Sequence, residues 1–142
     1  MKRITLLLFT ACALSACDSL ELDFEPERRP QSHELRMTGR ITAAGSPVVG
    51  ATVAVHVTHV ANESFQVLSR ASGFFEFSHR VTYPATCGIL GCDVGCSANV
   101  RASSTSHGWA EKRYPCSVLG AGVGAVTFQL SPTGGTVVED GS

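Results

Sequence analysis

The chain has 142 residues, with 11 Lys and Arg against 12 Asp and Glu and a formal net charge of −1. That balance lacks the basic patch that would announce a nucleic-acid partner. Hydrophobic residues are 44% of the chain and charged residues 16%, which suits one compact domain rather than two.

Met1-Lys2-Arg3 is a basic start, Ile4 to Leu14 an apolar run, and Leu14-Ser15-Ala16-Cys17 closes it. The run has 11 residues, too few for a bilayer that needs about 20, so residues 1–16 read as a signal peptide. Leu-Ser-Ala-Cys resembles the bacterial lipobox. The resemblance implies that the Cys17 thiol is diacylated, that cleavage falls just before it, and that the new amino terminus is then acylated. The mature chain then has 126 residues and sits at the cell envelope, held to the membrane by its N-terminal lipid. Two long acyl chains, at ~0.8 kcal/mol per buried CH₂, anchor a protein where one alone is marginal. Asp18 resembles the inner-membrane retention signal of enteric bacteria, but other bacteria follow other rules, so either membrane stays open.

Residues 17–32 read as the lipidated Cys and an acidic, Pro-containing tether. Within it Leu20, Leu22 and Phe24 alternate with acids, a pattern compatible with a short added edge strand. Removing Lys2 and Arg3 leaves 9 basic against 12 acidic residues, which argues against charge-driven attachment to anionic lipid.

The stretch from Arg40 to Phe77 sets the fold. Val53, Val55 and Val57 share one strand face and Ala54, His56 and Thr58 the other, because side chains alternate across a sheet. Gly45-Ser46-Pro47 marks a turn before this strand and Ser72-Gly73 a turn after it. Phe75 and Phe77 then fall together on one face. Gly39-Arg40-Ile41, Gly45 to Pro47, Gly50-Ala51-Thr52-Val53-Ala54-Val55 and Gly73-Phe74-Phe75-Glu76-Phe77 resemble the motifs of carboxypeptidase regulatory-like domains, members of the wider transthyretin-like β-sandwich group. Ser69-Arg70 stands where that family usually has Thr-Asp. Ala102 with Gly108-Trp109, and Val126 to Leu130, resemble its later elements. The resemblance covers roughly residues 35 to 130 and implies an all-β, single-domain, seven-strand Greek-key-type sandwich over 33–131; it says little of function.

Strands are expected near Leu35–Thr42, Ala51–Val60, Ser64–Ala71, Phe74–Thr82, Cys96–Ser103, Trp109–Cys116 and Val123–Leu130, with no helical stripe. Residues 132–142, rich in Gly, Thr and acid, read as a disordered tail.

Four cysteines remain once Cys12 leaves with the signal peptide and Cys17 is lipidated. An even number in an exported domain points to disulfides, and the C-x4-C-x3-C spacing of Cys87, Cys92 and Cys96 lacks the C-x2-C knuckle of structural zinc sites. A hairpin centred on Ser106 pairs residues whose numbers sum to 212. It sets Cys96 opposite Cys116 and leaves Cys87 for Cys92. The same register puts Lys112 opposite Val100 on a nominally buried face, a conflict that a bulge or an offset register would relieve.

No catalytic constellation is evident. His56 and His59 are three apart and so on opposite strand faces; His79 is in phase with Phe75 and Phe77 and reads as a partly buried, hydrogen-bonded residue. Ser72 belongs to a turn, and Gly120 to Gly124 precedes a strand rather than opening a helix, so no phosphate cradle follows. Two enzyme classes on related folds fit poorly. Hydroxyisourate hydrolases end in Tyr-Arg-Gly-Ser whereas this chain ends Val-Glu-Asp-Gly-Ser, and the two Tyr and two His of intradiol dioxygenases have no counterpart around Tyr83 and Tyr114. No cofactor and no metal site is expected. The expectation is a non-catalytic, lipid-anchored binding or structural module with an unknown protein or glycan partner. Loops on a rigid sandwich carry binding, so the Cys87–Cys96 loop and the tip from His107 to Trp109 are the candidates. A carbohydrate-binding module, with Trp109 as its stacking residue, is the alternative, although the family resemblance favours a Trp109 packed under the sandwich edge, and a metal-handling or redox lipoprotein is the third.

Overall fold

The computed structural model describes residues 27–58, 63–88, 91–93 and 95–140. Cys17, the signal peptide and the Leu20–Phe24 pattern lie outside them. Among the described residues the chain forms β1 (Glu27–Ala43), β2 (Ser46–Pro47), β3 (Thr52–Thr58), β4 (Ser64–Leu68), β5 (Phe74–Gly88), β6 (Gly91–Asp93), β7 (Ser97–Ser104), β8 (Gly108–Pro115), the helix α1 (Cys116–Ala121), β9 (Val126–Leu130) and β10 (Thr136–Glu139). One sheet runs β10-β9-β1-β5-β6, with β2 folded onto β1; the other runs β4-β3-β7-β8. The chain is an all-β sandwich, and each of the seven expected strands has a counterpart in it.

Period-2 patterning explains the two layers. Val53, Val55 and Val57 of β3 and Ala98, Val100 and Ala102 of β7 are fully buried, facing Leu35, Met37 and Ile41 of β1 and Phe75 and Phe77 of β5. Phe75 meets Phe128 of β9 edge to face at 5.7 Å between centroids, an arrangement aromatic pairs favour. The turn before β5 is a single 3₁₀ turn with Ser72 at φ 59 and Gly73 at φ +69, where a Cβ would come within 2.3 Å of the Ile41 carbonyl oxygen. Only glycine fits so close to a neighbouring backbone.

Three expectations change. The tether does not extend to residue 32, because β1 starts at Glu27 and its first residues pair antiparallel with the end of β5, from Glu27 with Cys87 to Ser32 with Thr82. The segment after 131 is not a disordered tail throughout: Thr136–Glu139 pairs antiparallel with β9. A helix is present, and its brevity explains why no apolar period revealed it. In α1, Leu119 and Cys116 are buried, and Gly120 lies against the His33 ring of β1, on a flank of β1 that β9 leaves uncovered by pairing only with Gly39 to Ala43.

Candidate functional site at the β7–β8 hairpin

The hairpin keeps the expected register. Ala98 pairs with Tyr114, Val100 with Lys112, Ala102 with Ala110 and Ser104 with Gly108. Cys96 and Cys116, one step beyond, are joined by a disulfide with their Cα atoms 5.4 Å apart, and both are buried. That buried bridge withdraws these two thiols from a redox or metal role. Cys87 and Cys92 are direct backbone partners in the β5–β6 ladder; their side chains lie outside the described part of the structure.

Neither bulge nor offset relieves the conflict at Lys112. Because β8 ends its sheet, the lysine stem runs over the Tyr114 ring, with Nζ 5.4 Å from the centroid, and the ammonium donates to Glu139 Oε1 at 2.8 Å. A long aliphatic stem can cover apolar surface while its charge stays wet. The Lys112 hydrogen bond holds the Glu139 carboxyl below the usual carboxylate range. Burial pushes the Tyr114 hydroxyl up; this hydroxyl is buried without a well-formed hydrogen bond, with the Glu139 carboxylate the acceptor beside it.

The outward face of the four-stranded sheet is a grid set by register. One row runs Leu68, Thr52, Ser103, Trp109, the next Gln66, Ala54, Arg101, Glu111, and a third Ser64, His56, Asn99, Arg113. Most of these side chains can donate or accept hydrogen bonds. The His56 ring contacts the Ser64 hydroxyl at 2.7 Å, and Arg113 donates to Ser97 Oγ at 2.8 Å. At the tip a groove of about 370 Å³ is bordered by Thr52, Arg101, Ser103, Thr105 and Trp109.

Trp109 and His107 both lie at this tip, and neither is a free platform. The Arg101 guanidinium carbon sits 4.7 Å from the Trp109 ring centroid, and a Cβ on Gly134 would come within 3.1 Å of its Cζ2. Its backbone closes onto the chain after β9, with Trp109 N–H donating to Ser131 O at 3.1 Å and Gly135 N–H donating to Trp109 O at 2.7 Å. The indole therefore packs against the sandwich edge. His107 Nδ1 contacts the Ser106 hydroxyl at 2.8 Å and stays exposed. Arg101 is the residue that sequence reasoning does not single out, although strand alternation combined with the hairpin register places it diagonal to Trp109. His79 behaves as expected, half-buried, paired with Glu63 and stacked on Phe65 at 4.2 Å. No group of three or more potential metal ligands gathers among the described residues.

No family model matches the sequence, and no curated protein matches it. Among solved structures, the 5-hydroxyisourate hydrolase of Klebsiella pneumoniae aligns at 15% identity with a TM-score of 0.44, over 76% of this chain and 94% of that one. Overlap at that level carries no residue-by-residue correspondence and no inference about chemistry.

Proposed function

We propose that this chain is a non-catalytic lipoprotein of the bacterial envelope, held to a membrane by acyl chains on Cys17, whose sandwich serves as a binding or structural module. The observation that carries the reading is Leu14-Ser15-Ala16-Cys17 closing a short apolar run ahead of a disulfide-stapled domain, since disulfides persist in oxidising compartments. The polar face and hairpin tip around Arg101 and Trp109 are the surface assigned to the partner. In cells fed a labelled fatty acid, the protein takes up label and Cys17→Ser does not. Label retained by the variant would defeat the anchor.

A glycan is the second reading, favoured by the groove that sets Arg101, Ser103 and Thr105 beside the indole. Sugars stack on open aromatic faces, so this mode requires Arg101 to swing off Trp109. Saturable quenching of Trp109 fluorescence by peptidoglycan fragments or a polysaccharide, strengthened or weakened by Arg101→Ala, supports it. Unchanged fluorescence across the panel removes it and leaves a protein partner.

A further inference from the structure

Among the described residues four strands end the two sheets, and three of them are guarded against pairing with another chain. β8 is met at its start by the Ser131 and Gly135 backbone bonds to Trp109 and carries Glu111, Lys112 and Arg113 along its length. β10 is four residues long and ends on Glu139. β6 has three residues and ends on Asp93. Short length, charge and covering loops are the usual devices by which proteins blunt a sheet edge. β4, Ser64-Phe65-Gln66-Val67-Leu68, holds neither a charge nor a proline, pairs with β3 without a bulge from Ser64 with His56 to Leu68 with Thr52, and has no strand paired to its other side among the described residues.

The direction of its backbone groups follows from its two ends. Val57 N–H donates to Glu63 O, and Ser69 N–H donates to Ala51 O, each at 2.9 Å. Residues 63 and 69 thus turn their polar groups toward β3. Alternation then sends the N–H and C=O of Ser64, Gln66 and Leu68 to the open side.

We infer that β4 is a pairing edge for a second copy of this chain, joined antiparallel about a two-fold axis at Gln66. In that register Gln66 of one copy meets Gln66 of the other, Phe65 meets Val67, and Ser64 meets Leu68. The outward backbone groups of all three even residues then find partners. The inward pair joins two half-buried apolar side chains, and Leu68, 60% exposed, gains cover beside Ser64. Meeting its own copy suits an uncharged strand in particular, because any charge at the axis would face itself. A five-residue edge contributes far less than the ~800 Å² per partner of a standard stable interface, so the dimer is weak and reversible. This inference does not depend on the anchor or on the ligand.

The test is sedimentation equilibrium of the full chain as the cell processes it, in a detergent density-matched to the buffer, at protein concentrations up to ~1 mM, where a weak complex is populated. Gln66→Lys, at an exposed edge position, is run beside it with a thermal melt to confirm folding. A monomer–dimer equilibrium in the parent and a monomer throughout in the folded variant is the expected result. A parent that stays monomeric at every concentration overturns the inference, and so does a dimer that Gln66→Lys leaves unchanged.

Discussion

Lys112 stands opposite Val100 on the inward side of β8, yet its ammonium returns to the surface to meet Glu139 at 2.8 Å. This one contact ties the edge of one sheet to the edge of the other, since Glu139 is the last residue of β10. Both side chains are 41% exposed, so solvent screening holds the pair to ~0.2–1 kcal/mol. The Glu139 pKa is lowered in the folded state. Its stabilisation is therefore present above the unfolded carboxylate value and lost as the pH falls through the lowered one. Denaturation of Glu139→Gln at neutral and acidic pH should show a small deficit at neutrality that closes in acid and shrinks in high salt. A deficit that grows in acid would contradict this.

The buried Cys96–Cys116 bridge closes a loop of sequence separation 20 and stabilises largely by restricting the unfolded chain. Replacing both cysteines with alanine should cost ~2–4 kcal/mol and leave the fold intact. Chemical denaturation measures it, and a double variant as stable as the parent would remove the bridge from the account.

Gly39 lies where β1 meets β9 and β5, and a Cβ there would stand 2.2 Å from the Val126 carbonyl oxygen and 2.8 Å from the Phe75 ring. Gly39→Ala must part the parallel β1–β9 pair or displace Phe75 from the core. Overpacking of this kind costs ~1–3 kcal/mol or more. A thermal melt of the variant matching that of the parent would show that the strands are not so close.

Where the domain begins can be measured directly. A chain starting at Ser32 loses the partners of Tyr83 to Cys87 in the β1–β5 ladder, whereas one starting ahead of Glu27 keeps them. Five pairs are lost, and at ~0.2–1 kcal/mol for each cross-strand pair the shorter version should be less stable by ~1–5 kcal/mol in urea. Equal stability would show that this part of the ladder contributes nothing.

What could be read from the sequence follows the strength of each physical signal. The alternating valines of β3, the paired phenylalanines of β5 and the symmetric spacing about Ser106 gave strands, core and disulfide register, because burial on one face leaves a period-2 trace. Glu27 to Gln31 leave no such trace, being charged or polar apart from Pro30. Thr136–Glu139 is equally silent: a four-residue strand is ordered by the β9 ladder and by Lys112, contacts no local pattern encodes. The resemblance of Gly108-Trp109 to the family's Gly-aromatic element favours a packed indole, but the contacts that hold it, with Gly134 and Arg101, one of them 25 residues further along the chain, leave no local trace.

The most direct measurement of the central claim is the mass of the N-terminal proteolytic peptide of the protein recovered from cell envelopes. The expected peptide begins at Cys17, lacks residues 1–16 and carries two or three fatty acyl chains. A peptide that begins elsewhere, or that begins at Cys17 with a free thiol and a free amine, would contradict the lipoprotein reading.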